Sequence, residues 1–272
     1  MAVLREPAVA GRFYPASPAA LRKDVNSYLS APEERARVSA IGCIAPHAGY
    51  IYSGQVAGAV FSRLKIPASC IVLCPNHTGR GHPLAIMKDG EWRTPLGTLP
   101  IDSALAARLL KSFPALVEDH AAHHSEHAIE VELPFLQVSR PGVTFVPIAI
   151  GAGQLLILEQ LGRAIAGVVQ DSEEPVLIIA SSDMNHYEDD ATTRVKDGKA
   201  IDKILALDPP GLYETVMNES ISMCGFGPAV AMLIAAKMLG AQKAELVQYA
   251  TSGDVSGDRD RVVGYAGVII TP

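Results

Sequence analysis

Three continuous apolar runs constrain what this chain can fold into, and each ends at side chains that can bind a metal or transfer a proton. The runs IGCIAP, CIVLCP and VLIIASS are followed, respectively, by His47, by Asn76 and His77, and by Asp183 and His186. Uninterrupted apolar strands are typical of a parallel sheet covered on both faces, and ligands bind beyond the carboxyl ends of such strands. We therefore expect these side chains to gather at one site, as metal centres and acid–base centres require.

The composition is that of a globular chain with a large core. The chain has 272 residues, of which 49% are hydrophobic and 19% are charged, and its net charge is −6. This acidic balance, without a run of Lys or Arg, gives no electrostatic basis for binding nucleic acid or a membrane surface. No leader-like segment and no apolar run long enough to span a bilayer stands out, so we expect a cytosolic protein. The four cysteines are too few and too scattered for a disulfide framework, which indicates reduced thiols.

Strand-like and helix-like segments alternate along the chain, which predicts a single α/β domain over residues 1–272. The first two apolar runs and the helical pattern QVAGAVFSRL between them form a βαβ unit. A helix capped by Asp102, a further helix over residues 153–170 and two or three helices between residues 192 and 239 are also predicted. The pattern favours three layers, α/β/α, around a mixed, largely parallel central sheet. Residues 32–37 are polar and are predicted to form a loop.

Two histidines follow the first two predicted strands in equivalent positions. The motif APHAGYIYSG places His47 beside glycines that let the backbone approach a ligand, and CPNHTG places His77 after the next strand. Because neutral imidazoles from separate strands can meet on one ion, we predict both as metal ligands, with Tyr50 and Asn76 as substrate-binding residues. A hydrogen bond to a loop carbonyl is the alternative role for either histidine taken alone.

The stretch DHAAHHSEHAIEVELPF carries four histidines, and we expect a helix to begin within it. Ser125 is the predicted N-cap, and the apolar residues that follow mark a stripe facing the core. His127 and Glu130 are three residues apart on that helix, so both can reach a site, as a base and as its orienting partner or a substrate contact. The remaining three histidines are predicted to lie in a solvated loop: His120, His123 and His124.

Asp183 and His186 lie three residues apart after the third predicted strand, in ASSDMNHYEDD. An Asp that accepts a hydrogen bond from an imidazole fixes its tautomer and raises its basicity, either for metal binding or for proton transfer. The alternative is that Asp183 only caps the following turn. We predict His127, His186 and Asp183 as catalytic residues.

Cys224 precedes a Gly-rich turn into a strongly apolar helix, in SMCGFGPAVAMLIAAKML. A helix N-terminus lowers the pKa of a thiol and favours the thiolate, the form that ligates metals. The other three cysteines lie within apolar strands and are predicted to be small core residues.

Six ordered blocks of the sequence together resemble the Memo family, also named AmmeMemoRadiSam system protein B. The blocks are APHAGYIYSG, PNHTG, EHAIEVELPF, SSDMNH, MCGFGP and the closing YATSGD with VVGYAG, and they span nearly the full chain. The resemblance implies a fold similar to that of class III extradiol dioxygenases, non-haem iron enzymes that open catechol rings. It also implies a metal site formed by His47, His77 and Cys224, with Asp183 and His186 beside it. His127 falls in a block that resembles a conserved dioxygenase histidine.

A cysteine stands where the dioxygenases complete a triad of two histidines and one carboxylate. A thiolate shifts metal preference toward copper or zinc while iron(II) can still bind, so ring cleavage does not follow from the resemblance. What the resemblance implies is iron- or copper-dependent redox chemistry, a small-molecule or peptide ligand in the metal pocket, and a radical SAM protein as a system partner. Two alternatives stay open: a non-catalytic module that binds a peptide or small molecule in the same pocket, and a zinc-dependent hydrolase.

Overall fold

The computed structural model describes residues 3–30 and 37–272, so the loop predicted at residues 32–37 lies outside the described residues except at its last position. The strands are β1 (Leu4–Arg5), β2 (Gly42–Ala45), β3 (Ser69–Pro75), β4 (Leu84–Ile86), β5 (Glu91–Thr94), β6 (Gly97–Pro100), β7 (Val117–Glu118), β8 (Thr144–Ile150), β9 (Val176–Ser181), β10 (His186–Glu188), β11 (Lys243–Thr251) and β12 (Val262–Thr271). The helices are α1 (Pro18–Leu29), α2 (Tyr50–Ser62), α3 (Ser103–Ser112), α4 (Ala121–His124), α5 (Ala128–Ser139), α6 (Leu155–Gln170), α7 (Asp190–Leu205), α8 (Pro209–Asn218), α9 (Phe226–Met238) and α10 (Gly253–Ser256).

The main sheet brings the three predicted strand ends together. Its order is β10-β12-β2-β9-β3-β8-β4-β7, with β11 paired to β12. The four central strands, β2, β9, β3 and β8, are parallel, whereas β12 and β4 flank them in antiparallel orientation. The predicted α/β class with a mixed sheet is confirmed. Because β9 lies between β2 and β3, the carboxyl ends of the three strands that precede the candidate residues are adjacent at one edge.

Helices cover the two faces of this sheet in two groups. α1, α2 and α5 pack on one another, and α2 contacts β2 and β12; α3 and α8 flank the packed pair α6 and α9, and α9 contacts β2, β3 and β9. Ile44, Ile71 and Ile178 in the central strands have no exposed surface, which explains why these strands are continuously apolar. Within residues 3–30 and 37–272, no helix combines the length and the apolar character that crossing a membrane requires.

A small second sheet, β1-β5-β6, ties the start of the chain to α5. Arg5 in β1 lies over the ring of Trp92, with its Cζ 4.2 Å from the ring centroid, and forms a buried ion pair with Glu130. Glu130 also accepts hydrogen bonds from the Tyr14 hydroxyl, at 2.5 Å, and from two backbone N–H groups of the same N-terminal segment. Glu130 therefore anchors the N-terminal segment to α5.

The start of α5 differs from the predicted one. Ser125 ends the short helix α4, and α5 begins at Ala128 with His127 at the N-cap position, so the capping role predicted for Ser125 is wrong. The carboxylate of Glu126 accepts hydrogen bonds from the backbone N–H groups of His127 and Ala128 and takes that role instead. Both N–H groups donate to the same carboxylate oxygen, Oε1, which has a lone pair for each donor.

His123 also departs from its prediction, because it is fully buried rather than solvated. Its ring lies edge-on to Trp92 at 5.8 Å between centroids, and its carbonyl accepts a hydrogen bond from Arg5 Nε. The short helix α4 is thus held against the second sheet by Arg5, a residue 118 positions earlier in the chain.

Candidate metal centre

A cavity of about 580 Å³ opens at the carboxyl edge of the parallel strands. Six of the residues predicted for metal binding or catalysis line it: His47, His77, His127, Asp183, His186 and Cys224. They come from loops after β2, β3 and β9 and from the starts of β10, α5 and α9, so the sheet order explains their convergence.

Three donor atoms from separate elements meet inside this cavity. One ligand atom each of His47, His77 and Cys224 lies within 4.8 Å of the other two, and Cys224 Sγ is 3.3 Å from His47 Nε2. Bonds of about 2.0–2.3 Å to one tetrahedral ion place donor atoms roughly 3.3–3.8 Å apart. The donor set therefore fits a transition metal with only small side-chain movements, and two imidazoles with a thiolate suit iron, copper and zinc.

Glu126 orients His77 and was missed by the sequence reasoning. Its carboxylate lies 2.9 Å from His77 Nδ1 and accepts the His77 backbone N–H at 2.6 Å, which leaves Nε2 free for a ligand. Burial alone would raise the pKa of Glu126, but the hydrogen bond from His77 and the N–H of Ala128 outweigh it and hold this pKa at about 2. An ionised carboxylate behind an imidazole fixes its tautomer and raises its basicity toward a metal. The sequence signal was the Glu directly before His127.

His47 is held from two sides and is almost fully buried. Its Nδ1 is 2.8 Å from Ser181 Oγ, and its backbone N–H donates to Asp183 Oδ1 at 2.8 Å. Burial and the nearby imidazole of His77 lower the pKa of His47 to about 3, so the ring is neutral at pH 7, as a metal ligand must be.

The prediction that the helix N-terminus makes Cys224 a thiolate is wrong. Burial raises the pKa of this thiol well above its usual range, and the nearby Asp183 raises it further. The N–H of Asp183, 3.3 Å from Sγ, and the N–H of Gly225 at the start of α9 act in the opposite direction but are outweighed. Cys224 therefore needs a stronger positive charge than a helix dipole to lose its proton, and a divalent metal is such a charge.

Asp183 and His186 both line the cavity, but they do not form the predicted hydrogen bond. Asp183 Oδ1 accepts the backbone N–H of His47, and the Nδ1 of His186 lies 2.9 Å from the carbonyl oxygen of Ser222. Since a carbonyl can only accept, Nδ1 carries a hydrogen, and Nε2 is the nitrogen that remains for a ligand or a proton. Ser222, and not Asp183, therefore orients the His186 ring. The Ser222 hydroxyl also accepts a hydrogen bond from the backbone N–H of His186 at 2.7 Å.

His127 lies against both imidazole ligand candidates. Its ring stacks on His77 with 4.6 Å between centroids and meets His47 edge-on at 5.4 Å and Phe13 edge-on at 4.8 Å. Burial and the neighbouring His47 lower the pKa of His127 to about 4, so it too is neutral at pH 7. A neutral imidazole in this position can exchange one hydrogen with a bound ligand.

The three residues predicted to bind substrate are not brought to the cavity. Tyr50 is buried and donates its hydroxyl to the carbonyl of Val131 at 2.8 Å. The amide oxygen of Asn76 accepts hydrogen bonds within its own loop, and Glu130 is the partner of Arg5. All three side chains have structural partners instead.

An aromatic wall, which the sequence reasoning did not predict, lines the cavity beside the polar residues. It consists of Phe13, Tyr187 and Tyr265. Tyr187 is 65% exposed and has a φ of 64°, a left-handed conformation that residues other than glycine rarely adopt and that is concentrated at functional sites. The nearest sequence signal was its position directly after His186.

The fold and the cavity define a mixed α/β protein with a site of histidines and one cysteine at the carboxyl edge of its parallel strands. The family model described as Memo-like protein matches residues 5–269. MEMO1 family proteins of Methanopyrus kandleri and Methanosarcina barkeri are 43% and 42% identical to the chain, covering 97% and 98% of it and 98% and 100% of the relatives. The chain therefore belongs to the Memo family.

A solved structure supports the fold alone. An uncharacterized protein of Escherichia coli K12 superimposes with a TM-score of 0.55 at 13% sequence identity, covering 85% of this chain and 99% of that protein. The similarity to extradiol dioxygenases expected from the sequence stays a prediction.

Proposed function

We propose that this Memo-family protein binds one transition-metal ion through His47, His77 and Cys224 and uses it in redox chemistry on a ligand held in the cavity. The observation that carries the proposal is the convergence of the three donor atoms within 4.8 Å of one another. The two imidazole donors are also oriented from behind: His47 by Ser181 and His77 by Glu126. Oriented donors of this kind are typical of metal centres.

Iron(II) or copper is the ion we propose, with zinc as the redox-inactive alternative. Bound here, iron or copper would supply redox chemistry and polarise a ligand as a Lewis acid. The set of two imidazoles and one soft thiolate is compatible with all three metals, and the cavity leaves room for a ligand beside them. Its volume of about 580 Å³ suits a small molecule or one side chain of a peptide.

The other polar residues of the cavity have separate proposed roles in binding and proton transfer. His186 holds its Nδ1 against the Ser222 carbonyl and lines the cavity, so its Nε2 is the proposed base that removes a proton from the ligand. His127 can hold the ligand through a hydrogen bond, and Asp183 fixes the His47 backbone. The aromatic wall of Phe13, Tyr187 and Tyr265 offers apolar ring surface to the ligand.

Metal content is the test of this proposal. We would purify the protein without oxygen and measure bound metals by elemental analysis in the wild type, His47→Ala and Cys224→Ala. His120→Ala is the matched control, because His120 is 41% exposed and does not line the cavity. We expect near-stoichiometric iron or copper in the wild type and the control, and its loss in the other two variants.

Three other outcomes would contradict the proposal and favour one of the two alternative functions. A folded wild type that is metal-free and does not bind added iron, copper or zinc would favour the non-catalytic binding module. A complex with a peptide that survives chelation and His77→Ala would do the same. Zinc alone restoring ester hydrolysis would favour the hydrolase, with Asp183 and His186 acting on water. A radical SAM partner and a cytosolic location stay predictions.

A further inference from the structure

A buried polar chain lies behind His47, on the side away from the cavity. Ser181 Oγ is 2.8 Å from His47 Nδ1, 2.9 Å from Glu132 Oε1 and 3.1 Å from the carbonyl oxygen of Ala128. Ser181 and Glu132 have no exposed surface. Among the described residues, the second carboxyl oxygen of Glu132 has no hydrogen-bond partner, and no cation forms an ion pair with this side chain.

The hydrogen positions around Ser181 follow from its three neighbours. A hydroxyl donates one hydrogen and accepts through its remaining lone pairs, whereas a backbone carbonyl can only accept. If the hydroxyl donated to His47 or Glu132, its lone pairs would face the Ala128 oxygen at 3.1 Å, which is repulsive. The Ser181 hydrogen therefore points to Ala128. The other two neighbours must then both donate to Oγ.

We propose that Ser181 positions His47 for metal binding by ordering the protons around it, with Glu132 kept as a neutral acid that donates to Ser181. In this arrangement His47 carries its hydrogen on Nδ1, so Nε2 presents a lone pair toward Cys224 and His77. The opposite tautomer would place a hydrogen on Nε2, 3.3 Å from Cys224 Sγ, where a metal would have to bind. Burial supports the neutral state of Glu132, since it raises the pKa of this carboxyl well above its usual range.

The inference rests on the proposed metal site only for its functional consequence, because the hydrogen positions can be measured without metal. In chelator-treated protein labelled with ¹⁵N-histidine, NMR of the imidazole nitrogens distinguishes the two tautomers, and His47→Gln assigns the signal. We expect the Nδ1–H tautomer in the wild type and in Glu132→Gln, whose amide can donate to Ser181 as the neutral acid does. A wild-type His47 with hydrogen on Nε2 would overturn the proposal.

Infrared spectroscopy tests separately whether Glu132 is protonated. The infrared spectrum at pH 7 should contain a carbonyl band of a protonated carboxylic acid that disappears in Glu132→Gln. If the variant instead loses a carboxylate band, Glu132 is ionised and the proposed proton order is wrong. This readout does not depend on metal binding or on a variant that lacks Ser181.

The positioning role is tested by titrating the metal-free protein with Zn²⁺. Ser181→Ala should weaken binding about 10–100-fold, the usual effect of removing a group that orients a ligand, and should populate the Nε2–H tautomer. Glu132→Gln should bind within about twofold of the wild type. Ser222→Ala is the matched control, since Ser222 orients His186, which is not a proposed ligand.

The outcomes separate this inference from the proposed function. Zn²⁺ binding that is lost in His77→Ala but unchanged in Ser181→Ala would overturn the positioning role and leave the metal site standing. A wild type that binds none of Zn²⁺, iron and copper would overturn both. Equal weakening in Ser181→Ala and Ser222→Ala would also overturn the positioning role, because it would reflect a general loss of structure.

Discussion

Asp197 should make the stability of the protein depend on pH in an unusual direction. This residue of α7 has no exposed surface, and its carboxyl accepts hydrogen bonds from the Tyr249 hydroxyl at 2.7 Å and the Asn185 backbone N–H at 2.9 Å. Burial raises its pKa from 3.8 to about 6, and the two hydrogen bonds only partly oppose this. Between pH 4 and 6 the folded protein therefore binds more protons at this site than the unfolded chain does.

The sign and size of the pH dependence of stability follow from this difference in bound protons. Because the folded state binds the extra proton, the free energy of unfolding should fall as pH rises from about 4 to about 6, and this contribution should then stay constant. The interval from 3.8 to about 6 corresponds to about 3 kcal/mol, at 1.36 kcal/mol for each pKa unit. Asp197→Asn mimics the neutral acid and cannot ionise. The variant should match the wild type near pH 4 and exceed its stability by about 2–3 kcal/mol above pH 6.5.

Urea unfolding at four pH values between 4 and 7.5 measures this difference. Asp202→Asn is the matched control, because Asp202 is exposed on the same helix, and its effect should stay within about 0.5 kcal/mol at every pH. A stability difference for Asp197→Asn that is constant across the range, or that shrinks as pH rises, would refute the reasoning. It would mean that the hydrogen bonds, and not burial, determine the charge of Asp197.

Three further predictions concern the candidate site and its support. Arg5→Met leaves Glu130 charged and buried without its partner. The variant should have a free energy of unfolding about 3–5 kcal/mol lower in denaturant titrations. The control Arg12→Met, at an exposed position, should lower it by less than about 0.5 kcal/mol. Glu126→Gln should weaken Zn²⁺ binding about 10–100-fold in a chelator competition assay, because the amide is a weaker acceptor behind His77 and carries no charge. His186→Ala should abolish ligand turnover while keeping the wild-type metal content; loss of the metal would show that His186 is a ligand and not a base.

The convergence of His47 and His77 was predictable because it depends on sheet topology and little else. Apolar runs without alternation indicate buried parallel strands, and the carboxyl ends of parallel strands share one edge. The adjacency of β2, β9 and β3 then places the residues that follow them in one cavity. Cys224 was predictable only through the resemblance of its block to the Memo family, since no periodicity relates it to the two histidines.

Contacts that depend on distant chain segments were not predictable from the same patterns. Glu130 was expected at the site because of its spacing from His127, but Arg5, 125 residues earlier, pairs with it and draws it away. The thiol of Cys224 was expected to ionise because it precedes a helix. The helix effect is at most about 2 kcal/mol, which is less than the cost of burying an unpaired thiolate. In both cases the local signal was read correctly and a larger effect from elsewhere in the fold outweighed it.

Three glutamates of one short segment show why residue type alone could not assign the site. Glu126, Glu130 and Glu132 lie within seven positions, and all three have no exposed surface. Glu126 is ionised and accepts hydrogen bonds from several donors, including His77. Glu130 pairs with Arg5, and Glu132 contacts only Ser181 through a side-chain hydrogen bond. A buried carboxyl keeps its charge where donors or a cation stabilise it and takes up a proton where they do not. A glutamate side chain therefore orients a candidate ligand, anchors the N-terminal segment or donates the proposed hydrogen bond to Ser181, according to what the fold places opposite it.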